Sequence, residues 1–130
     1  MNTINHSEFF TRNELKCKCG CDTCEMDEDF MQMLDIIRFR MGKPIILNSA
    51  YRCCIHNENQ GGVKDSPHVL GLAVDVKCSG HEAYDILTEA IALEIKGVGI
   101  SQKGSHESRF IHLDNQHTNS KGTRPWVWSY

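Results

Sequence analysis

The segment SPHVLGLAVD (66–75) places His68 and Asp75 among glycine, alanine and branched aliphatics. Imidazole and carboxylate both bind divalent cations. A hydrolytic zinc usually takes about three such protein ligands and leaves one position for water. The best third candidate is His112 in RFIHLD (109–114), between Ile111 and Leu113. Strand alternation there would put His112 and Asp114 on one face and the aliphatics on the other. The plainer alternatives stay open: a loop histidine, a capping or lysine-bridging aspartate, and a hydrogen-bonded core imidazole.

A second group of chemistry-bearing residues is CKCGCDTC, with Cys17, Cys19, Cys21 and Cys24, while Cys53, Cys54 and Cys78 lie elsewhere. Seven cysteines cannot all pair within one chain. Four thiolates suit a closed zinc site, and pairs suit disulfides if the compartment is oxidising. Read as a strand and turn, the stretch instead points Leu15, Cys17 and Cys19 inward as small hydrophobes. That packing, or partial disulfides, is favoured over zinc. On one strand, Cys17 and Cys19 would stand about 6–7 Å apart, too wide for a compact knuckle.

The elements that must position these residues can be read from periodicity. Phe30, Met33, Leu34, Ile37 and Met41 recur at helical spacing and predict a helix over 27–41, ended by Gly42 and Pro44. A second helix is expected after Ser79, which with Glu82 reads as a capping box. Its apolar stripe is Ala83, Ile86, Leu87, Ala90 and Ile91. PIILNSAY, LGLAVDVKC, GVGI, RFIHLD and PWVWSY read as short strands. In the second of these, Leu72, Val74 and Val76 share one face, and Ala73, Asp75 and Lys77 the other. The polar stretch 51–68 reads as a long loop, and such loops inside compact domains are usually functional or disordered. Trp126, Trp128 and Tyr130 alternate, and read as a hydrophobic cover over the sheet rather than a sugar-stacking platform. The expected class is α+β, a small, mostly antiparallel sheet with two main helices.

The chain of 130 residues fits a single domain over 1–130. Its formal charge of −3 argues against a nucleic-acid partner. No apolar run is long enough for membrane insertion. MNTINHSEFF lacks the basic and apolar regions of a secretory signal, and a monomer is expected.

The segment 49–75 resembles the M15 zinc peptidases, the D-alanyl-D-alanine carboxypeptidase type that cuts peptidoglycan peptides. The matching positions are Ser49, Tyr51, Arg52, Asn57, Gly61, Gly62, Ser66, His68, Gly71, Ala73 and Asp75, followed in order by GVGI and FIHLD. The early EFF and LKCKCG look like the short, phage-type branch, and the resemblance spans about 8–126. It implies a hedgehog-like or D-Ala-D-Ala-peptidase-like fold and Zn2+ held by His68, Asp75 and His112. Arg52 would hold the substrate carboxylate, a task that suits a planar guanidinium. Ser66 would position substrate or its loop, and Gly71 and Ala73 would keep the pocket wall small.

The pattern departs from the family at the general base. Where many members carry glutamate, this chain has Arg109. Glu107 is favoured as the catalytic base over Asp114 and His106. The expected function is a zinc peptidase acting on the D-Ala-D-Ala or L-Ala-D-Glu bond of peptidoglycan stem peptides, as in a phage or prophage endolysin released by a holin or carried by a virion. The alternative is a non-catalytic zinc-binding module of the same fold.

Overall fold

The computed structural model describes residues 2–62, 66–117 and 123–130. Two strands near the N-terminus, β1 (Thr3–Ile4) and β2 (Met26–Asp27), pair antiparallel beside a short helix α1 (Arg12–Leu15). The long helix α2 (Glu28–Met41) leads to β3 (Ile46–Ser49) and a short helix α3 (Cys54–Asn59). Then come β4 (Ala73–Lys77), helix α4 (Gly80–Ala92), β5 (Gly97–Ser101), a single 3-10 turn (His106–Ser108), β6 (Phe110–Asp114) and β7 (Trp126–Ser129). The expected α+β class is the one observed. The main sheet runs β3-β4-β6-β5-β7 and is antiparallel except for the β5–β7 pair.

Local chemistry explains the helices. α2 begins where the Asp27 side chain accepts from the Phe30 N–H at 2.9 Å and ends at Gly42, close to the expected bounds. The expected capping box at Ser79 does not form, since that side chain makes no capping bond. The capping box lies instead at Thr11 and Glu14, where each side chain bonds the other's backbone N–H. The stretch 51–68 is no continuous loop, because Cys54–Asn59 is helical with the Cys53 side chain as its cap. Positions 63–65 lie outside the described residues.

The sheet has two unlike faces. Val74, Val76, Val98, Ile111 and Leu113 turn inward, at most 2% exposed, into one core with Phe30, Met31, Leu34, Ile37 and Ile86. Burying each such side chain contributes about 1.5–3 kcal/mol, and Leu113→Ala would cost about 2–5 kcal/mol. On α4, Ala83, Ile86 and Ala90 are buried as the stripe predicts, but Ile91 is 58% exposed. The opposite face carries the polar residues. Because side chains alternate, a slip of one residue in β4 or β6 would send Asp75 and His112 into the core, so the apolar pattern fixes the site's register. Among the described residues, no helix is long and apolar enough to cross a membrane.

Candidate metal centre

A single cross-strand row builds the centre. Ser49 on β3 pairs with Asp75 on β4, Asp75 with His112 on β6, His112 with Gly99 on β5, and Gly99 with Trp128 on β7. Neighbouring strands stand about 4.8 Å apart, which suits ligands converging on one ion. His68 comes from the turn before β4. Its Nδ1 lies 2.8 Å from the Ala50 carbonyl oxygen, and its backbone N–H donates to Ser66 Oγ at 3.3 Å.

These contacts fix the tautomers. A carbonyl only accepts, so His68 Nδ1 carries the hydrogen and Nε2 presents a lone pair, 3.4 Å from Asp75 Oδ1. His112 Nε2 lies 2.7 Å from Asp114 Oδ2, and Arg124 donates to both oxygens of Asp114 at 3.1 and 3.0 Å. That bidentate pair keeps Asp114 ionised as an acceptor, so His112 Nε2 donates and Nδ1 presents its lone pair, 2.9 Å from Asp75 Oδ1. Two imidazole lone pairs and a carboxylate therefore face one point, with all three ligand atoms within 4.8 Å of one another. A metal ion, or a proton on His112 Nδ1, relieves such a meeting of acceptors. The donor set fits zinc, and each ring is oriented from behind by an acceptor, as metal-binding histidines usually are.

Burial alone would raise the Asp75 carboxyl, but its interaction with the adjacent His112 and His68 rings holds it below the usual carboxylate range. Asp114 follows the same logic: burial pushes it up, and His112 and Arg124 more than reverse that. Burial would lower the His112 imidazole, yet Asp114 and Asp75 together raise it.

The centre forms part of the wall of a cavity of about 560 Å³. Arg52 lines it as well, donating to Ser49 Oγ at 3.1 Å, Asn57 Oδ1 at 3.3 Å and Asp75 Oδ2 at 3.4 Å. Phe110, Trp126, Trp128 and Tyr130 form an aromatic wall, so the C-terminal residues border the cavity rather than cap the core. Glycine makes room for two of these groups. A Cβ on Gly97 would fall 2.3 Å from the Asp114 carboxylate, and one on Gly99 would fall 2.6 Å from the Trp128 ring.

Several expectations need correction. Glu107 is not brought to the centre; its side chain is 84% exposed, held 2.7 Å from Lys77 Nζ, and does not line the cavity. Asp114 is fully buried, with both oxygens engaged by His112, Arg124 and the Gln116 N–H, and it does not line the cavity. Arg109 and His106 also lie off the cavity wall, with Arg109 bonded to the Gly104 carbonyl. Ser66 lines the cavity and supports the His68 backbone. Gly71 serves a different neighbour from the one expected: its φ is +72°, and a Cβ there would meet the Glu25 carbonyl at 2.0 Å. Ala73 is buried and does not line the cavity.

Sequence reasoning missed Arg124, Gly97 and Gly99. The only signal for the glycines was GVG itself, alternating small residues on a strand that neighbours bulky ones.

A family model described as Peptidase M15 matches residues 7–114. Among curated proteins none matches the chain. The match runs from before α1 through β6, taking in the Arg52 loop and all three candidate ligands, and the chain belongs to the M15 peptidase family.

Proposed function

We propose that this peptidase is zinc-dependent and cuts the stem peptides of peptidoglycan, at the D-Ala-D-Ala or the L-Ala-D-Glu bond, as a phage or prophage endolysin does. The observation that carries this reading is the meeting of three lone pairs, from His68, Asp75 and His112, beside Arg52 in an aromatic-walled cavity. Zinc bound there would bring the pKa of a water towards about 7 and polarise a carbonyl.

The chain's own residues supply the rest. Ser49 and Asn57 fix the plane of the Arg52 guanidinium, which borders the cavity and can receive a peptide carboxylate as a fork. The aromatic wall offers apolar contact to a small methyl side chain. Burial raises the Tyr130 phenol, so it stays protonated near neutrality and can donate a hydrogen bond to substrate. A holin or a virion would deliver the protein to the wall.

One observation favours a second reading, a zinc-binding module without hydrolysis. Among the described residues lining the cavity, the titratable groups besides the three ligands are Arg52, Arg124 and Tyr130, and none is a carboxylate or imidazole base. Digestion of purified peptidoglycan, followed by product masses, separates the two. Release of D-alanine, or cleavage after L-alanine, that a chelator stops and zinc restores supports the peptidase. Intact muropeptides at every zinc concentration would establish the binding module.

A further inference from the structure

The sulfurs of Cys17, Cys19 and Cys53 form a nearly equilateral triangle. Cys17 Sγ lies 3.5 Å from Cys19 Sγ and 3.7 Å from Cys53 Sγ, and Cys19 Sγ lies 3.6 Å from Cys53 Sγ. With Cys21 added, the four sulfurs all fall within 4.8 Å of one another. A tetrahedron with zinc–sulfur bonds of about 2.3 Å has edges of about 3.8 Å, close to these separations. A disulfide needs about 2.05 Å, and three mutually equidistant sulfurs cannot be satisfied in pairs.

The segment is a turn, not the strand expected from its alternation, and this removes the objection to the short cysteine spacing. Gly20, at φ +91°, and Asp22, at φ 59°, bend the chain in the left-handed region. The Cys17 N–H closes the turn on the Thr23 carbonyl at 2.9 Å, and Arg12 braces it on Asp22 at 2.8 Å. Cys17 is buried as the packing reading held, but Cys19 is exposed. Cys24, grouped with the others by sequence, stands apart with its sulfur 3.9 Å from the Asn5 carbonyl. Its place is taken by Cys53, from a segment far along the chain. Backbone N–H groups are aimed at two of the sulfurs: Cys53 N–H to Cys17 Sγ and His56 N–H to Cys53 Sγ, each at 3.4 Å. Such donors suit thiolates, which only accept.

We propose that Cys17, Cys19, Cys21 and Cys53 hold a second, structural zinc ion, a closed all-sulfur site that ties the N-terminal turn to the loop carrying Arg52. Soft thiolate ligands in a tetrahedral set select zinc over hard cations, and four protein ligands leave no position for water. Cys53 follows Arg52 directly, and the Tyr51 N–H donates to the Leu15 carbonyl at 3.1 Å, so the ion would fix both ends of a junction that already begins in backbone bonding.

The site is independent of the histidine centre, and so is its test. The full chain is purified under reducing, zinc-replete conditions, and metal is counted by mass spectrometry. The double variant His68→Ala, His112→Ala should retain about one zinc per chain, and adding Cys19→Ser and Cys21→Ser should remove it. Cobalt added to metal-free wild type should give the near-ultraviolet charge-transfer absorption of cobalt bound by thiolates. That spectrum decides alone if the variants do not fold. A folded histidine-site variant with no zinc, a cobalt spectrum without thiolate absorption, or disulfides among these cysteines in the freshly isolated chain would each overturn the proposal.

Discussion

The molecule has two places where side chains able to hold a metal ion converge, and they are built in opposite ways. His68, Asp75 and His112 sit on or beside central strands, each ring held from behind by an acceptor, with a cavity in front. Cys17, Cys19, Cys21 and Cys53 sit on two loops, partly exposed, with no regular ladder beneath Cys17 to Cys21. The sheet can hold its three ligands apart and leave a coordination position open. The loops have no such scaffold, and an ion there would itself be the cross-link. The difference teaches that an open centre needs rigidity from elsewhere, whereas a closed one can supply it.

The largest expected break comes at the histidines. His68→Ala or His112→Ala should lower peptidoglycan hydrolysis by roughly 10³-fold or more and remove the metal of that centre only, because several kcal/mol of charge stabilisation goes with it. Zinc analysis beside muropeptide kinetics checks this; two metals retained in both variants would sink the ligand assignment. Next comes Arg52→Ala, with a loss of roughly 10²-fold at unchanged metal content, and only partial recovery in Arg52→Lys, which lacks the fork. Full turnover in the alanine variant would reduce Arg52 to a support for Asp75.

Asp114→Asn tests the orienting layer. It should weaken metal affinity about 10–100-fold while saturating zinc restores turnover, and competition with a chelator measures this. The cysteines outside the cluster offer a milder contrast. Burial pushes the Cys78 thiol up to about 12, so at pH 8 it stays protonated and resists alkylation until the chain unfolds, whereas exposed Cys54 is accessible. Modification of Cys78 at the rate of Cys54 in the native chain would contradict this. Smallest of all is Glu107→Gln. Exposed and paired with Lys77, Glu107 should change turnover by less than about twofold when neutralised. A drop of the size a general base supplies, about 10²-fold or more, would show that the turn at 106–108 moves onto the cavity.

The long periodic elements were legible because their information is local. The helix after Asp27 and the alternation of Val74 with Asp75 and of Leu113 with His112 follow from side-chain spacing and a solvent-averse face. Helix α3 was not legible, because CIHNEN lacks a long apolar stripe and is too short for periodicity to show.

By itself, then, the sequence determined which residues have metal chemistry and which face of each strand they occupy, since ligand type and period-two alternation are properties of a few consecutive residues. Tertiary structure alone decided what stands behind and beside them. Arg124 meets Asp114, Gly97 and Gly99 yield space to Asp114 and Trp128, Glu107 turns to Lys77, and Cys53 takes the place expected of Cys24. Each of these is a contact between segments separated along the chain, set by strand register and by how loops close over the sheet. Neither leaves a periodic trace in the residues that make it.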